Sequence, residues 1–305
     1  MKLATVLYEN QLNIALVDAE ATEPEQGRVL LLNQLPAWPQ YIDSMQKLIE
    51  QDNEPIELID KLKADADETQ WLPVTAVKFC APIPEPKRNI FCLGWNYAEH
   101  AKESSSAKGV NIKELPQHPI VFTKATTTVN GPYDDIVYNE HVSRRLDWEV
   151  ELGVIIGKRG RCIQEQDALN YVFGYSVIND VSARDLQKRH QQFFLGKSMD
   201  GTCPMGPWIV TADEIQDPQN LQLRCLVNNV VKQDASTNLQ IFSVANVIST
   251  LSSIMTVLPG DIIATGTPSG VGFARTPAEY LHPGDMVECE VQGIGRIVNK
   301  IIQQV

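Results

Sequence analysis

The sequence predicts a strand-dominated α+β fold with a small N-terminal α/β domain. From residue 88 onward, short apolar runs recur between glycine and proline residues, a spacing typical of consecutive β-strands. Helical periodicity of apolar residues is confined to a few short segments. A chain with this balance is expected to form a sheet-based domain with a few helices packed outside it.

The first 80 residues carry the pattern of the small N-terminal domain. Leu3–Tyr8 and Leu12–Val17 flank a polar turn, which favours two paired strands. Apolar residues at helical spacing predict helices in Tyr41–Gln51 and Pro55–Lys63, and Trp71–Phe79 predicts a further strand. These elements give residues 1–80 a mixed α/β content of their own.

A proline-rich connector follows this segment. Residues 81–87 read Ala-Pro-Ile-Pro-Glu-Pro-Lys, and prolines at alternate positions favour an extended, stiff backbone. We therefore place a domain boundary at 81–87, between a small domain (1–80) and a large domain (88–305).

The large domain is expected to contain most of the strands. Its apolar runs predict them at Asn89–Leu93, Ile120–Phe122, Val150–Ile156, Val172–Asn179, Trp208–Thr211, Leu221–Val227, Ile262–Ala264, Met286–Val291 and Arg296–Ile302. Helical periodicity is found at Gln164–Val172, Ala183–Arg189 and Phe242–Met255. The polar segment Glu103–Lys113, rich in small residues, is predicted to be a mobile loop.

Composition excludes several classes of partner. A formal net charge of −12 argues against nucleic-acid binding, which needs basic surfaces, and against attraction to anionic lipid. No run approaches the roughly 18 apolar residues of a membrane span, and Glu9 and Asn10 interrupt the opening segment before a signal-peptide core forms. The 6 cysteines include no Cys-x-x-Cys pair, which favours reduced thiols. The sequence thus predicts a cytoplasmic protein with no nucleic-acid and no membrane partner.

Two glutamates open the predicted strand Val150–Ile156. Because side chains alternate along a strand, Glu149 and Glu151 are expected to project together while Val150 points the other way. Asp180 directly follows the predicted strand Val172–Asn179 and could supply a third oxygen ligand. Three carboxylates without His or Cys favour Mg²⁺ or Mn²⁺, with Ca²⁺ as a further option, over Zn²⁺. The alternative is that this Glu-x-Glu pair lies on the solvated face of an edge strand.

Several motifs occur in a fixed order around these residues. They are GWNYAEHAKE (94–103), PIVFTK (119–124), DWEVELGVIIG (147–157), NDVSARDLQ (179–187), LGKSMD (195–200) and PGDIIATGTPSGVG (259–272). This string resembles the fumarylacetoacetate hydrolase superfamily over about residues 88–302. The short N-terminal segment is similar to that of the bacterial and mitochondrial fumarylacetoacetate hydrolase domain-containing proteins.

The resemblance implies a mixed β-sandwich roll, a homodimer, and Mg²⁺ or Mn²⁺ on Glu149, Glu151 and Asp180. Members of the superfamily include acylpyruvate and fumarylpyruvate hydrolases, oxaloacetate decarboxylases and tautomerases, and isomerases of catechol meta-cleavage products. All of these reactions pass through an enolate next to a 2-oxo acid, which a divalent cation stabilises as a Lewis acid. Fold and site alone do not determine which substrate is used.

The motifs also assign roles to individual side chains. Lys197 matches the superfamily's active-site lysine, although a surface lysine is the common alternative. Arg184 and Gln187 match substrate-contacting residues, and a salt bridge is the competing explanation for Arg184. For Lys124 the sequence supports two interpretations equally, an active-site lysine and a surface residue.

Two further predictions concern the base and the glycine-rich loop. His100 and Glu103, at positions i and i+3, would share one helix face and match the pair with which hydrolytic members activate water. An ordinary exposed ion pair is the alternative. Thr267, in the loop 265–272, is expected to offer its hydroxyl and amide to a substrate carboxylate, and a purely structural turn is the alternative.

These assignments lead to two competing functions for a small-molecule 2-oxo acid substrate. The first is hydrolysis of a C–C bond in an acylpyruvate or fumarylpyruvate, with water activated by His100 and Glu103. The second keeps the metal site without the water chemistry, as an oxaloacetate tautomerase or decarboxylase or a 2-hydroxyhepta-2,4-diene-1,7-dioate-type isomerase. A non-catalytic metal-bearing module would show no turnover on any 2-oxo acid.

Overall fold

The architecture was obtained as a computed structural model. It describes residues 1–19, 26–51, 54–107, 109 and 114–304, and all statements on structure refer to these. The helices are α1 (Met45–Ile49), α2 (Glu54–Asp65), α3 (Ala98–Ala107), α4 (Arg184–His190), α5 (Phe194–Lys197) and α6 (Val244–Ile254).

The strands carry most of the regular structure. They are β1 (Lys2–Tyr8), β2 (Gln11–Asp18), β3 (Arg28–Leu31), β4 (Trp71–Pro73), β5 (Lys78–Phe79), β6 (Ile90–Gly94), β7 (Ile120–Lys124), β8 (Val129–Asn130), β9 (Ile136–Tyr138), β10 (Leu146–Asp147), β11 (Val150–Ile156), β12 (Val172–Asn179), β13 (Ser182–Ala183), β14 (Cys203–Thr211), β15 (Gln222–Val227), β16 (Val230–Ser236), β17 (Ile262–Ala264), β18 (Met286–Val291) and β19 (Gly295–Gln303). The predicted strand-dominated α+β class is confirmed.

Two sheets form a β-sandwich. The large sheet has the strand order β4-β3-β2-β1-β14-β12-β11-β17-β6-β7, with β5 paired to β1 and β8 to β14. The smaller sheet has the order β16-β15-β18-β19-β9. Most pairs are antiparallel, but β17 with β6, β14 with β8 and β19 with β9 are parallel, so both sheets are mixed. The mixed β-sandwich that the resemblance implied is therefore present.

The alternating faces of β11 divide the hydrophobic core. Val150, Leu152 and Val154 belong to the core between the two sheets. Ile155 belongs to the core on the other face, where α1 and α2 also pack. Because side chains alternate along a strand, Glu149 and Glu151 project to the same side as Ile155, as predicted. Every residue of β11 is buried, so this strand is not a sheet edge.

One sheet runs through both predicted domains. β1 pairs with β14, with Lys2 opposite Val210 and Leu3 opposite Ile209. In the proline-rich connector, Ala81 and Ile83 are buried in the core that contains α1. The connector 81–87 therefore separates the segments in sequence while the sheet joins them. That residues 1–80 form a domain of their own stays a prediction.

Three local predictions differ from the observed elements. Trp71–Phe79 is not one strand, because a 3₁₀ turn at Val74–Ala76 separates β4 from β5. The predicted helix Gln164–Val172 is a 3₁₀ helix over Glu165–Tyr171. Glu103–Ala107, predicted as loop, is the second half of α3, while residues 108 and 110–113 lie outside the described residues.

Candidate active site

Three carboxylates meet at the ends of two central strands of the large sheet. Glu149 lies one residue before β11, Glu151 is within it, and Asp180 directly follows β12. The register pairs Val150 with Asn179, and the Asp180 N–H donates to the Glu149 carbonyl at 2.9 Å. The ligand oxygens of the three carboxylates lie within 4.8 Å of one another, and all three side chains are buried. Burial excludes the alternative of a solvated edge strand.

Two buried lysines contact this trio. Lys197, at the end of α5, donates from Nζ to Glu149 Oε2 at 2.5 Å and to Asp180 Oδ2 at 2.6 Å. Lys124, at the end of β7, is 0% exposed, and its Nζ lies 2.9 Å from Asp180 Oδ1. The surface alternative is therefore wrong for both lysines. Their predicted roles toward a substrate stay predictions.

Arg184 begins α4 and joins two carboxylates. Its Nε donates to Asp147 Oδ2 at 2.8 Å, and its Nη2 donates to Glu149 Oε1 at 2.5 Å. A third bond runs from Nη1 to Gln187 Oε1 at 3.2 Å. The salt-bridge explanation is thus correct for Arg184. Because Arg184 and Gln187 also line the cavity at the trio, their predicted contact with substrate stays compatible with this bonding.

The pKa values of the two glutamates are shifted in opposite directions. Burial, followed by the nearby charges of Asp180 and Glu149, raises the pKa of Glu151 well above its ordinary value. Burial opposes ionisation of Glu149 too, but Lys197 and Arg184 outweigh it and lower the pKa of that carboxyl. Glu151, the glutamate without a paired cation, is therefore the one whose ionisation costs more free energy.

The residues present fit a divalent cation. The donor set consists of oxygen atoms alone, which suits Mg²⁺ or Mn²⁺, or Ca²⁺, better than Zn²⁺. Asp180 Oδ1 is buried without a hydrogen-bond partner, because the contact with Lys124 lacks hydrogen-bond geometry. A cation held by the trio would satisfy this oxygen and offset the charge of Glu151. The choice among the three ions stays a prediction.

The predicted His–Glu pair is formed on α3. His100 Nδ1 lies 2.9 Å from Glu103 Oε1, and Ser104 Oγ lies 3.4 Å from Nε2. Glu103 also accepts the N–H of Gly270, at 3.0 Å to Oε2. Gly270 has φ +104, and a Cβ there would lie 2.1 Å from the carbonyl oxygen of Lys232, so only glycine fits. His100 is 6% exposed, which excludes an ordinary surface pair.

Thr267 uses its hydroxyl within the protein. Its Oγ1 donates to the Val150 carbonyl at 3.0 Å and accepts from Gln233 Nε2 at 2.7 Å. In the same loop the Gly266 N–H donates to Glu151 Oε2 at 2.7 Å. The loop 265–272 therefore fixes the start of β11 and one metal-ligand candidate. The expected bond from the Thr267 hydroxyl to a substrate competes with these two bonds, and the amide stays a predicted donor.

Asp147 is a site residue that sequence reasoning did not single out. Its Oδ2 accepts from Arg184 Nε, and its Oδ1 accepts the Gly272 N–H at 2.7 Å. It thereby ties Arg184 to the glycine-rich loop. The sequence does indicate this residue. Asp147, Glu149 and Glu151 stand at alternate positions, and alternate side chains of an extended segment project to the same side.

Replacement Asp147→Asn is expected to destabilise the protein by about 3 kcal/mol, because it leaves the buried Arg184 with one carboxylate partner. Urea unfolding followed by fluorescence measures the change in the free energy of unfolding. The exposed Asp213→Asn serves as the control and should stay within about 0.5 kcal/mol of the wild type. Equal stability of the two variants would show that Asp147 does not hold Arg184.

A narrow inner cavity beside the trio is lined by Glu149, Lys197 and His100. Its volume is about 30 Å³, close to the share of one molecule in liquid water. Aromatic side chains form part of the wall, and the Phe122 and Phe193 rings meet edge to face at 5.4 Å. The inner cavity brings together Glu149, Arg184, Gln187, Lys197, His100 and Thr267.

The fold is that of the fumarylacetoacetate hydrolase family. The chain belongs to that family, because residues 89–302 match the family described as fumarylacetoacetate (FAA) hydrolase C-terminal. Oxaloacetate tautomerase YisK of Bacillus subtilis is 48% identical over 228 residues, 75% of this chain and 74% of the relative. The mitochondrial oxaloacetate tautomerase Fahd2a of Rattus norvegicus is 42% identical over 241 residues, 79% of this chain and 74% of the relative.

Solved structures support the same family. A fumarylacetoacetate hydrolase from Exiguobacterium antarcticum has a TM-score of 0.82 at 36% identity, covering 100% of both chains. A 2-hydroxyhepta-2,4-diene-1,7-dioate isomerase from Mycobacterium marinum has a TM-score of 0.76 at 29% identity, covering 100% of this chain and 99% of that one. The predicted resemblance to bacterial and mitochondrial domain-containing proteins is confirmed.

The remaining predictions concern the location, the assembly and the reaction. No helix among the described residues is long and apolar enough to cross a membrane. The cytoplasmic location and the homodimer stay predictions. C–C hydrolysis as the first choice of reaction is not confirmed, since the curated relatives named above support the alternative better.

Proposed function

We propose that this chain catalyses the keto–enol tautomerisation of oxaloacetate, with a divalent cation held by Glu149, Glu151 and Asp180. The observation that carries the proposal is that relatives matched over about three quarters of the chain are oxaloacetate tautomerases. The buried, oxygen-only donor set is consistent with it. When bound, the cation supplies Lewis-acid stabilisation of the negative charge that develops on the 2-oxo oxygen.

The cationic side chains would hold the substrate anion. Three buried carboxylates with one divalent ion leave a net charge of about −1, which opposes entry of another anion. Lys197, Arg184 and Lys124 already lie against these carboxylates and offset that charge. A substrate carboxylate in the inner cavity would thus meet the Lys197 ammonium and the Arg184 guanidinium rather than bare negative charge.

The proton transfer would fall to His100. A carboxylate only accepts hydrogen bonds, so Glu103 fixes the proton of the neutral imidazole on Nδ1 and leaves Nε2 as the basic nitrogen. Nε2 takes a proton from carbon 3 of the keto form, and a proton returns to the oxygen on carbon 2. No water is consumed and no bond between carbon atoms breaks.

Hydrolysis of a C–C bond is the second candidate. It is favoured by the likeness to the solved fumarylacetoacetate hydrolase, 36% identical over the whole of both chains. The same His100–Glu103 pair could activate a water molecule instead of a carbon-bound proton. The two candidates differ in whether water and a longer substrate enter the cavity together.

One assay panel tests the proposal. The absorbance of enol-oxaloacetate should relax to equilibrium about a hundredfold faster or more with the Mg²⁺-loaded protein than without it. EDTA should remove the acceleration, and added Mg²⁺ should restore it. Acylpyruvate and fumarylpyruvate should stay intact under the same conditions. Cleavage of either without any effect on oxaloacetate would overturn the proposal in favour of hydrolysis.

A further inference from the structure

An outer cavity adjoins the inner cavity and opens to solvent. Its volume is about 470 Å³, many times that of the inner cavity. Arg184, Gln187 and Phe273 line both cavities, so the two spaces share a wall. Arg145 and Lys188 line the outer cavity but not the inner one, and they also border a surface pocket that contains Glu140 and Asp185. A ligand anchored at the trio and longer than the inner cavity would extend past these two residues.

The charge of the outer cavity differs from that of the protein. The chain has a net charge of −12, but the described lining contains Arg145, Arg184 and Lys188 and no Asp or Glu. Arg184 is engaged by Asp147 and Glu149, whereas neither Arg145 nor Lys188 forms an ion pair with a described carboxylate. Uncompensated cations beside a cavity of an acidic protein favour an anionic ligand.

The local structure orients both cations toward the same space. Residues 184, 187 and 188 stand at i, i+3 and i+4, so they share the face of α4 that lines the outer cavity. At 1.5 Å per residue, Lys188 stands about 6 Å along the helix from Arg184. Arg145 lies across from it, with its guanidinium 5.8 Å from the centroid of the Tyr280 ring.

We infer that Arg145 and Lys188 bind the second carboxylate of a dianionic 2-oxo acid whose first carboxylate lies in the inner cavity. This inference rests on the proposed function, because it takes the 2-oxo acid head to be held at the trio. The two residues then act as the selectivity site. They favour dianions over 2-oxo acids that end in a methyl group.

Two neighbouring arginines provide matched controls. Arg144 and Arg189 are adjacent in sequence to Arg145 and Lys188 and share a surface pocket with them, but they do not line the outer cavity. Arg144 is paired with Glu140 at 3.2 Å. Removing either control charge changes the net charge as much as the test variants do. A general electrostatic attraction would therefore respond equally to all four changes.

The experiment is calorimetric titration of the full-length Mg²⁺-loaded protein. The probes are 2-oxoglutarate, a dianion, and 2-oxobutanoate, a monoanion with the same 2-oxo acid head. Arg145→Ala and Lys188→Ala should each weaken 2-oxoglutarate about tenfold and leave 2-oxobutanoate within twofold. Arg144→Ala and Arg189→Ala should leave both affinities within twofold. Circular dichroism verifies that these exposed substitutions keep the fold.

Two results would overturn the inference. One is a wild type that binds the two probes equally, and the other is a loss that Arg144→Ala and Arg189→Ala reproduce. Binding is measured without turnover, so the proposed function can fail separately. A selective loss of 2-oxoglutarate in a protein that does not tautomerise oxaloacetate keeps the selectivity site and rejects that reaction.

Discussion

Replacing Glu151 by glutamine is expected to abolish Mg²⁺ binding and to lower tautomerase activity about a thousandfold, roughly 4 kcal/mol of lost stabilisation. Glutamine keeps the shape of the side chain, and its carbonyl can still accept the Gly266 N–H. It removes the one carboxylate of the trio whose charge has no paired cation. Calorimetric titration with Mg²⁺ and the enol-oxaloacetate assay measure the two losses.

The same substitution should stabilise the metal-free protein. In Glu151→Gln the repulsion from Asp180 and Glu149 is gone, so the free energy of unfolding without metal should rise above that of the wild type. Asp200→Asn, an exposed carboxylate shortly after Lys197, is the control and should change neither binding nor stability. Mg²⁺ affinity within a few-fold of the wild type would contradict the assignment of Glu151 as a ligand.

Strand geometry explains why the carboxylate trio could be predicted. Alternation along β11 is enough to place Glu149 and Glu151 on one side of the sheet. Asp180 was inferred from its place at the end of an apolar run, and β12 ends one residue before it. Both arguments are local, and the antiparallel register of β11 with β12 then joins them. The same alternation applies to Asp147, which stands two positions before Glu149 and whose bond with Arg184 completes the site.

The cationic half of the site depends on contacts that are distant in sequence. Lys124 contacts Asp180 across 56 positions of the chain, although β7 is the last strand of the large sheet and lies four places from β12. No local pattern distinguishes a buried lysine from an exposed one. The resemblance supplied Lys197, whereas the burial of Lys124 and its contact with Asp180 were evident only in the structure. Thr267 shows the converse, since its hydroxyl is used by the neighbouring strand.

Helix α3 shows why a polar segment was mistaken for a loop. Serine side chains compete with helix hydrogen bonds, so Ser104, Ser105 and Ser106 disfavour a helix by propensity. In the structure Ser105 Oγ donates to the carbonyl of Ala101 at 2.8 Å, and Ser104 and Ser105 are both buried. Burial against the rest of the fold therefore overrides the propensity. The helix extends four residues past Glu103, and the His–Glu pair is held on a regular element.

His100→Asn is expected to lower the tautomerase rate by a factor of about 10² to 10⁴ while Mg²⁺ affinity stays within twofold. Asparagine retains a polar side chain but has no basic nitrogen, so the proton on carbon 3 has no acceptor at this position. Glu103→Gln should cause a smaller loss, because the imidazole remains but its Nδ1 proton is no longer held by a carboxylate. Rates of enol relaxation and magnesium titrations measure the two effects separately.

The same helix offers a matched control for this prediction. Glu99 and Lys102 form another i, i+3 ion pair, at 2.7 Å, on the exposed face of α3. Glu99→Gln therefore removes the same kind of contact without touching the cavity, and it should leave the rate unchanged. If His100→Asn kept full activity, another group would move the proton. If it lost Mg²⁺ as well, His100 would support the carboxylate trio rather than act on the substrate. Only loss of rate with metal binding intact makes His100 the base.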